Sequence, residues 1–222
     1  MSTIAPDQFV EILRTVSSRI DEAREMLGEL DGAIGDADHG RTMSQGFASV
    51  VRDTQDAASK GSGVQEILGI AARTFLNAVG ATAGPLYAGA FEEAGRRMAG
   101  RHALEDADLI AILAGMTEGI ARRGKAALGD KTMLDAFEPA MRAAVAATEA
   151  GASPRDALRA ASLAAAQGRE TTRAMIAAKG RAARLGARSL GFVDPGAASA
   201  AIVVEAMREG YEALLARRAG ER

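Results

Sequence analysis

Three aspartates, Asp31, Asp36 and Asp38, stand close together in the chain beside His39, one of only two histidines. The stretch 31–46 reads Asp-Gly-Ala-Ile-Gly-Asp-Ala-Asp-His-Gly-Arg-Thr-Met-Ser-Gln-Gly. Residues two apart do not share a face of a helix but point the same way along an extended loop, which aligns Asp36 with Asp38. Gly35 and Gly40 flank the pair and allow backbone angles closed to other residues, so the loop can curl and return Asp31 to it. Converging carboxylates repel unless a cation lies among them or some of them ionise less readily. Oxygen donors alone suit magnesium, which takes one or two carboxylates and leaves room for water and phosphate oxygens.

Other metals fail on spacing. An EF-hand counted from Asp36 requires glycine at its sixth position and glutamate at its twelfth, where this chain has Arg41 and Phe47. Structural zinc requires Cys or several His, and there is no Cys. The plainer alternative is a helix-start loop in which Asp36 or Asp38 caps the next helix and His39 is incidental.

Helices must position these residues. The composition favours Ala, Leu, Met, Glu and Arg, and almost no window alternates as a strand would. Phe9, Ile12, Leu13, Val16, Ile20, Ala23, Leu27 and Leu30 recur at steps of three and four, with Pro6 in the first turn, and deliver the chain to Asp31. Met43, Phe47, Val50 and Val51 mark a second helix, which runs out in the polar stretch 53–63. Ser62 and Gln65 have the spacing of a capping box for a third, carrying Ile67, Leu68, Phe75 and Val79. Gly80 to Pro85 breaks the pattern. Leu86 to Met98 then makes a fourth helix, Leu109 to Ile120 a fifth, and Met133 to Val145 a sixth that Pro139 bends. Ser153-Pro154 opens an Ala-rich helix expected to run to about Ala178, and Asp194-Pro195 repeats that device before the last helix, with Ile202, Val203, Met207, Tyr211 and Leu215. The expectation is all-α: a single domain over residues 1–222 of about eight antiparallel helices, an up-and-down bundle or barrel.

Alternate connectors of such a barrel lie at one end, and every second connector here is glycine-rich and polar: 31–42, 80–84, 124–132 and 179–196. Together they would form a rim of helix N-termini, acids and basic residues able to hold a metal-bound phosphate, and so a nucleotide. Residues 119–126 imitate a P-loop, but Ala126 lacks the hydroxyl needed for magnesium and a helix, not a strand, precedes it.

Bulk properties narrow the class. Acids outnumber bases 29 to 27, so no basic surface invites nucleic acid or an anionic membrane. The lack of Cys removes disulfides and thiol catalysis and fits a reducing compartment. With no run near ~18 apolar residues and no basic-then-apolar leader, a soluble, cytoplasmic protein is expected.

Leu-Asp-Gly-Ala-Ile-Gly-Asp-Ala-Asp-His-Gly, Gly-Ala-Thr-Ala-Gly-Pro-Leu-Tyr, Arg-Gly-Lys-Ala with Gly-Asp-Lys-Thr-Met-Leu-Asp, and Gly-Arg-Ala with Asp-Pro-Gly-Ala follow one another along the chain. In this order they resemble the L subunits of dihydroxyacetone kinases. The resemblance spans essentially the whole chain and implies an eight-helix antiparallel barrel with a nucleotide, ADP or ATP, at one end. It implies that Asp31, Asp36 and Asp38 hold two magnesium ions on the phosphates, that His39, Gly40, Arg41 and Thr42 line the phosphates, and that Thr82 and Ala83 meet the nucleotide. Gly124 and Met133 would border the adenine, and Arg181 with Asp194, Pro195 and Gly196 would close over it, Arg181 joining the three acids in catalysis. Many members carry Ser at the position of Ala83, and the likeness loosens over 184–192.

The same resemblance implies a division of labour. The sugar, a triose or tetrose ketose, would be held by a separate K subunit. Bound ADP would be rephosphorylated in place by a phosphotransferase-system protein, or else ATP would exchange freely. A nucleotide-bound module docking to a transcription regulator is the alternative from another class, and a homodimer is compatible with either.

Overall fold

The structure, a computed structural model, describes residues 3–220. Helices account for most of it: α1 (Pro6–Glu22), α2 (Arg24–Ile34), α3 (His39–Ser59), α4 (Val64–Ala78), α5 (Ala83–Arg97), α6 (Asp108–Gly124), α7 (Leu134–Glu149), α8 (Pro154–Thr171) and α9 (Pro195–Gly220). Two short 3-10 segments, Thr172–Ala174 and Ala182–Ser189, lie between α8 and α9. A two-residue antiparallel ladder joins β1 (Thr3–Ile4) to β2 (Leu104–Glu105). The all-α expectation holds. α1 and α2 are the single first helix of the sequence pattern, interrupted at Ala23 (φ −89°, ψ 3°), where neither Gly nor Pro marks the break. Counted as one, they leave eight helices.

The helices form a closed ring in which α1 packs on α3, α3 on α4, and so on in order to α8 on α9, with α9 closing back on α1. Such closure requires adjacent helices to approach tightly, and small residues permit it. A Cβ on Gly115 of α6 would come within 2.8–2.9 Å of the Ala94 backbone of α5, and Gly119 meets the Gly89 carbonyl of the same neighbour. Gly168 of α8 lies against the Asp135 carbonyl of α7. That carbonyl has no helical donor because Pro139, four residues on, has no N–H; α7 continues through the proline. Inside the ring Phe47 meets Phe75 and Tyr87 edge-on at centroid distances of 5.3 and 5.5 Å, and Tyr87 meets Phe137 at 6.3 Å. The apolar stripes read from the sequence point into this core.

Helix ends depart from the expected pattern in instructive ways. Ser62 and Gln65 do not form a capping box: α4 starts after Gly63, and the Val64 and Gln65 N–H groups donate to the His102 and Arg101 carbonyls at 2.9 and 3.4 Å. A distant backbone segment replaces the local cap, and the Gln65 side chain accepts from Gly100 N–H instead. Pro85 lies within the first turn of α5 rather than before it, at a position where its missing N–H costs nothing. α8 stops at Thr171, short of Ala178. By contrast Ser153 caps α8 as read, accepting from Asp156 N–H at 3.2 Å ahead of Pro154. Ser153→Ala is expected to lower stability by about 1 kcal/mol, a fall of roughly 2–4 °C in melting temperature on a thermal scan. Among the described residues no helix is long and apolar enough to cross a membrane.

Candidate functional site

The acid group is assembled by the junction of α2 and α3. Asp31 lies in the last turn of α2 and is only 8% exposed. Its Oδ2 accepts the Asp38 and His39 N–H groups at 2.9 and 3.2 Å, so the carboxylate of one helix caps the start of the next. Neither Asp36 nor Asp38 acts as the cap, which leaves both free to face outward. The glycines serve a different purpose from the one expected of them. The left-handed residue of the loop is Ala37 (φ 62°), while Gly35 and Gly40 are places where a side chain would not fit. A Cβ on Gly40 would overlap the Arg24 carbonyl and stand 2.9 Å from Gly28 N; one on Gly35 would overlap the Asp31 carboxylate. At Gly40 the loop is drawn in by close contact of α3 with α2, and at Gly35 by the Asp31 carboxylate of its own helix; one oxygen of each aspartate lies within 4.8 Å of the others. Arg181 forms an ion pair with Asp36 and lies 3.5 Å from Asp38.

His39 opens α3 beside this group. Its Nε2 is 2.9 Å from Ser199 Oγ, and the Ser199 hydroxyl donates to the Gly196 carbonyl at 3.0 Å. Burial lowers the imidazole pKa, with Asp31 and a hydrogen bond to the Pro195 backbone opposing, which favours the neutral ring.

Asp31 and Asp38 form one wall of a cavity of about 410 Å³ at one end of the ring. All four glycine-rich connectors reach it. Of the residues singled out in the sequence, Asp31, Asp38, His39, Thr42, Thr82, Ala83, Gly124, Met133, Arg181, Asp194, Pro195 and Gly196 line it. Three do not: Gly40 is packed against α2, Arg41 is exposed, and Asp36 stands outside, held by Arg181. The wall supplied by α5, α6 and the connector 124–133 is mostly apolar, with Leu86, Ile120, Ala126 and Met133. α5 begins there without a side-chain cap; Gly84 N–H donates to the Ala81 carbonyl at 3.0 Å and Pro85 has none, which leaves the Ala83 N–H to face the cavity.

Asp194 supports the far wall. It is 9% exposed, its Oδ2 accepts Ala197 N–H at 2.7 Å at the start of α9, and burial pushes its carboxyl up to about 7 against the backbone donors and the Lys131 ammonium. Lys131 itself was not singled out in the sequence, although it lines the cavity and is only 1% exposed. Its one local signal, Gly-Asp-Lys, resembles ordinary polar turn chemistry. Lys179 and Gly180, which precede Arg181 on the segment over the cavity, also line it.

The chain is similar to known proteins along most of its length. The DAK2 domain family model matches residues 33–209. The PEP-dependent dihydroxyacetone kinase ADP-binding subunit DhaL of Escherichia coli is 36% identical over 91% of this chain and 96% of its own. The corresponding subunit of kinase 2 of Listeria innocua is 32% identical over 96% of this chain and 99% of its own. Among solved structures, the dihydroxyacetone kinase of C. freundii in complex with AMP-PNP and Mg2+ aligns with a TM-score of 0.66 and 26% identity, over 90% of this chain but only 33% of that one. Its native form aligns with a TM-score of 0.69. The acidic junction, the rim of four connectors and the likeness along nearly the whole chain converge: this chain belongs to the DAK2 domain family.

Proposed function

We propose that this chain is the nucleotide-binding, phosphoryl-transferring subunit of a dihydroxyacetone or short-ketose kinase. The observation that carries this reading is a cavity with the Asp31 and Asp38 carboxylates at one side, Asp36 converging on them from its edge, an apolar slot at the other side, and an arginine-bearing segment across it. An adenine fits the slot between Leu86, Ile120 and Met133, and its phosphates then reach the α5 N-terminus and the acids. The acids suit magnesium by donor type, being oxygen only, and among the described residues Arg181 is the one cation paired with them, so a net negative charge remains to be balanced. Asp31, Asp36 and Asp38 would hold the ions, two by our reading. Bound there, magnesium would neutralise charge on the phosphate oxygens. The chain's own residues do the rest: Asp31 fixes the α3 start, His39 offers a neutral ring to the phosphates, and Arg181 can move from carboxylate to phosphoryl oxygen.

The relatives that match over nearly their full length are ADP-binding subunits of PEP- or PTS-dependent kinases. The chain spans about a third of the solved C. freundii kinase and 35% of the L-erythrulose 1-kinase of Mycolicibacterium smegmatis, to which it is 36% identical. We therefore assign the sugar to a separate K-type subunit and take a phosphotransferase-system protein as phosphoryl donor to bound ADP. A cytoplasmic location accords with the lack of Cys. The ATP-exchanging tetrose kinase is the second reading, favoured by the erythrulose kinase relatives.

Purified chain, denatured to release its ligands, is expected to yield adenine nucleotide. Labelled ATP added to the native protein distinguishes the two readings: exchange over hours indicates a resident ADP, exchange within seconds the ATP-dependent route. Failure to bind ADP or ATP at millimolar magnesium sinks both. Addition of a K-type subunit with dihydroxyacetone or erythrulose then separates an enzyme from a regulatory, transcription-factor-docking or purely dimeric module, for which phosphoryl transfer stays absent.

A further inference from the structure

Lys131 has an unusual combination of features. It adopts a left-handed backbone (φ 60°) uncommon for a residue with a side chain, and its ammonium is buried. Nζ donates to two main-chain carbonyls far apart in sequence, Thr172 at 2.6 Å and Phe192 at 2.5 Å. These carbonyls are the two ends of the segment 173–191, which carries Arg181 over the cavity. The neck is also closed by Gly191 N–H donating to Arg173 C=O at 2.8 Å, and Ala178 N–H reaches Asp130 C=O at 3.1 Å. The loop that presents Lys131 is itself rigid: Asp135 accepts Gly129 and Thr132 N–H groups at 2.5 and 2.7 Å. Thr132 and Met133, immediately after Lys131, line the apolar side of the cavity.

Away from this neck the segment has little hold on the body. Ala177 and Ala182 bury against Ile34 in a small separate cluster, and Arg181 pairs with the half-exposed Asp36 and lies near the partly exposed Asp38. A segment with few apolar contacts and exposed ion pairs opens at low cost unless its ends are fixed. One buried ammonium shared between two carbonyls fixes both ends at once, and charge-assisted bonds of this kind are the strong ones.

We propose that Lys131 is a positioning residue, a latch that holds the segment 173–191 closed over the cavity and thereby sets how long the nucleotide is retained. This rests on the nucleotide reading above and extends it to the control of release. Lids govern release more than entry, so the effect belongs in the dissociation rate.

The test uses the full chain with Lys131→Met, which keeps length and loses the donors. The expected result is at least a tenfold faster dissociation of fluorescent ADP in magnesium, with association changed less than threefold. Trypsin should cut at Lys179, Arg181, Arg184 and Arg188 at least tenfold faster, with cleavage outside the segment 173–191 unchanged. Because the chain lacks Cys, Lys131→Cys can be aminoethylated uniquely in the unfolded state and refolded, restoring an ammonium at nearly the original length. Slow release and slow cleavage should then return. Unchanged dissociation and cleavage would overturn the latch, as would cleavage quickened along the whole chain, failure of both variants to fold, or no recovery on aminoethylation. Proteolysis needs no ligand, so a wild-type chain that binds no ADP removes the nucleotide reading while the latch is still judged on cleavage.

Discussion

Exchanging Asp36 and Asp38 together for asparagine is expected to lower magnesium-dependent ADP affinity by about 100-fold or more, roughly 2.7 kcal/mol, and to abolish phosphoryl transfer in a reconstituted kinase. Asparagine keeps the shape of each side chain and a neutral oxygen but removes the charge that a hard divalent cation requires. Free-protein stability should change little. The carboxylates are 50% and 29% exposed, their pairing with Arg181 is a surface interaction of at most about 1 kcal/mol, and the repulsion between them is relieved at the same time. A melting temperature within about 4 °C of wild type, beside a collapse of affinity in calorimetry, would separate ligand binding from folding. Equal ADP affinity for variant and wild type in magnesium would remove these two acids from the site. Asp31 is a poorer choice for that experiment, because its carboxylate also satisfies two N–H groups at the start of α3, so replacing it mixes stability with binding.

What could be read in advance follows from what periodicity encodes. A stripe such as Phe9, Ile12, Leu13, Val16 and Ile20 records which face is buried, so helix positions and their order were accessible, whereas periodicity left bundle and barrel open and only the family resemblance implied the closed ring. The acids and the alternating connectors were accessible too, since an up-and-down chain places every second turn at one end. Contacts between backbone segments remote in sequence leave no such trace. The N–H groups of α4 that bond the carbonyls of Arg101 and His102 and the end of α8, where Thr172 receives Asp194 N–H and gives its carbonyl to Lys131, depend on tertiary neighbours. The roles of Gly35 and Gly40 were misread for the same reason: a glycine signals either an unusual backbone angle or the absence of room, and only the neighbouring helix decides between them.

Gly40 turns that ambiguity into a prediction in which two effects oppose. It lies in the first turn of α3, and by helix propensity alone Gly40→Ala would stabilise by about 1 kcal/mol. Packing opposes it. The added methyl would overlap the Arg24 carbonyl and approach Gly28 N at 2.9 Å, both main-chain atoms of α2, which cannot swing aside as a side chain would. Overpacking against backbone lies at the upper end of the usual range, about 3 kcal/mol, so the clash prevails and a net loss of about 2 kcal/mol is expected. Thermal unfolding should fall by roughly 4–8 °C for a chain of this size. Gly69→Ala is the matched control: in the middle of α4 its methyl meets only the flexible Arg73 guanidinium at 3.6 Å, and a small gain is expected. The loss at Gly40 should also be felt at the cavity. Relief of the clash must part the α2 and α3 backbones, drawing the Asp38 and His39 N–H groups away from Asp31 and loosening the convergence of the acids. ADP affinity in magnesium should therefore drop at least tenfold in Gly40→Ala and stay unchanged in Gly69→Ala. Equal stability of Gly40→Ala and wild type would mean that the two helices have room to spare, and that the acids converge for some reason other than their close contact.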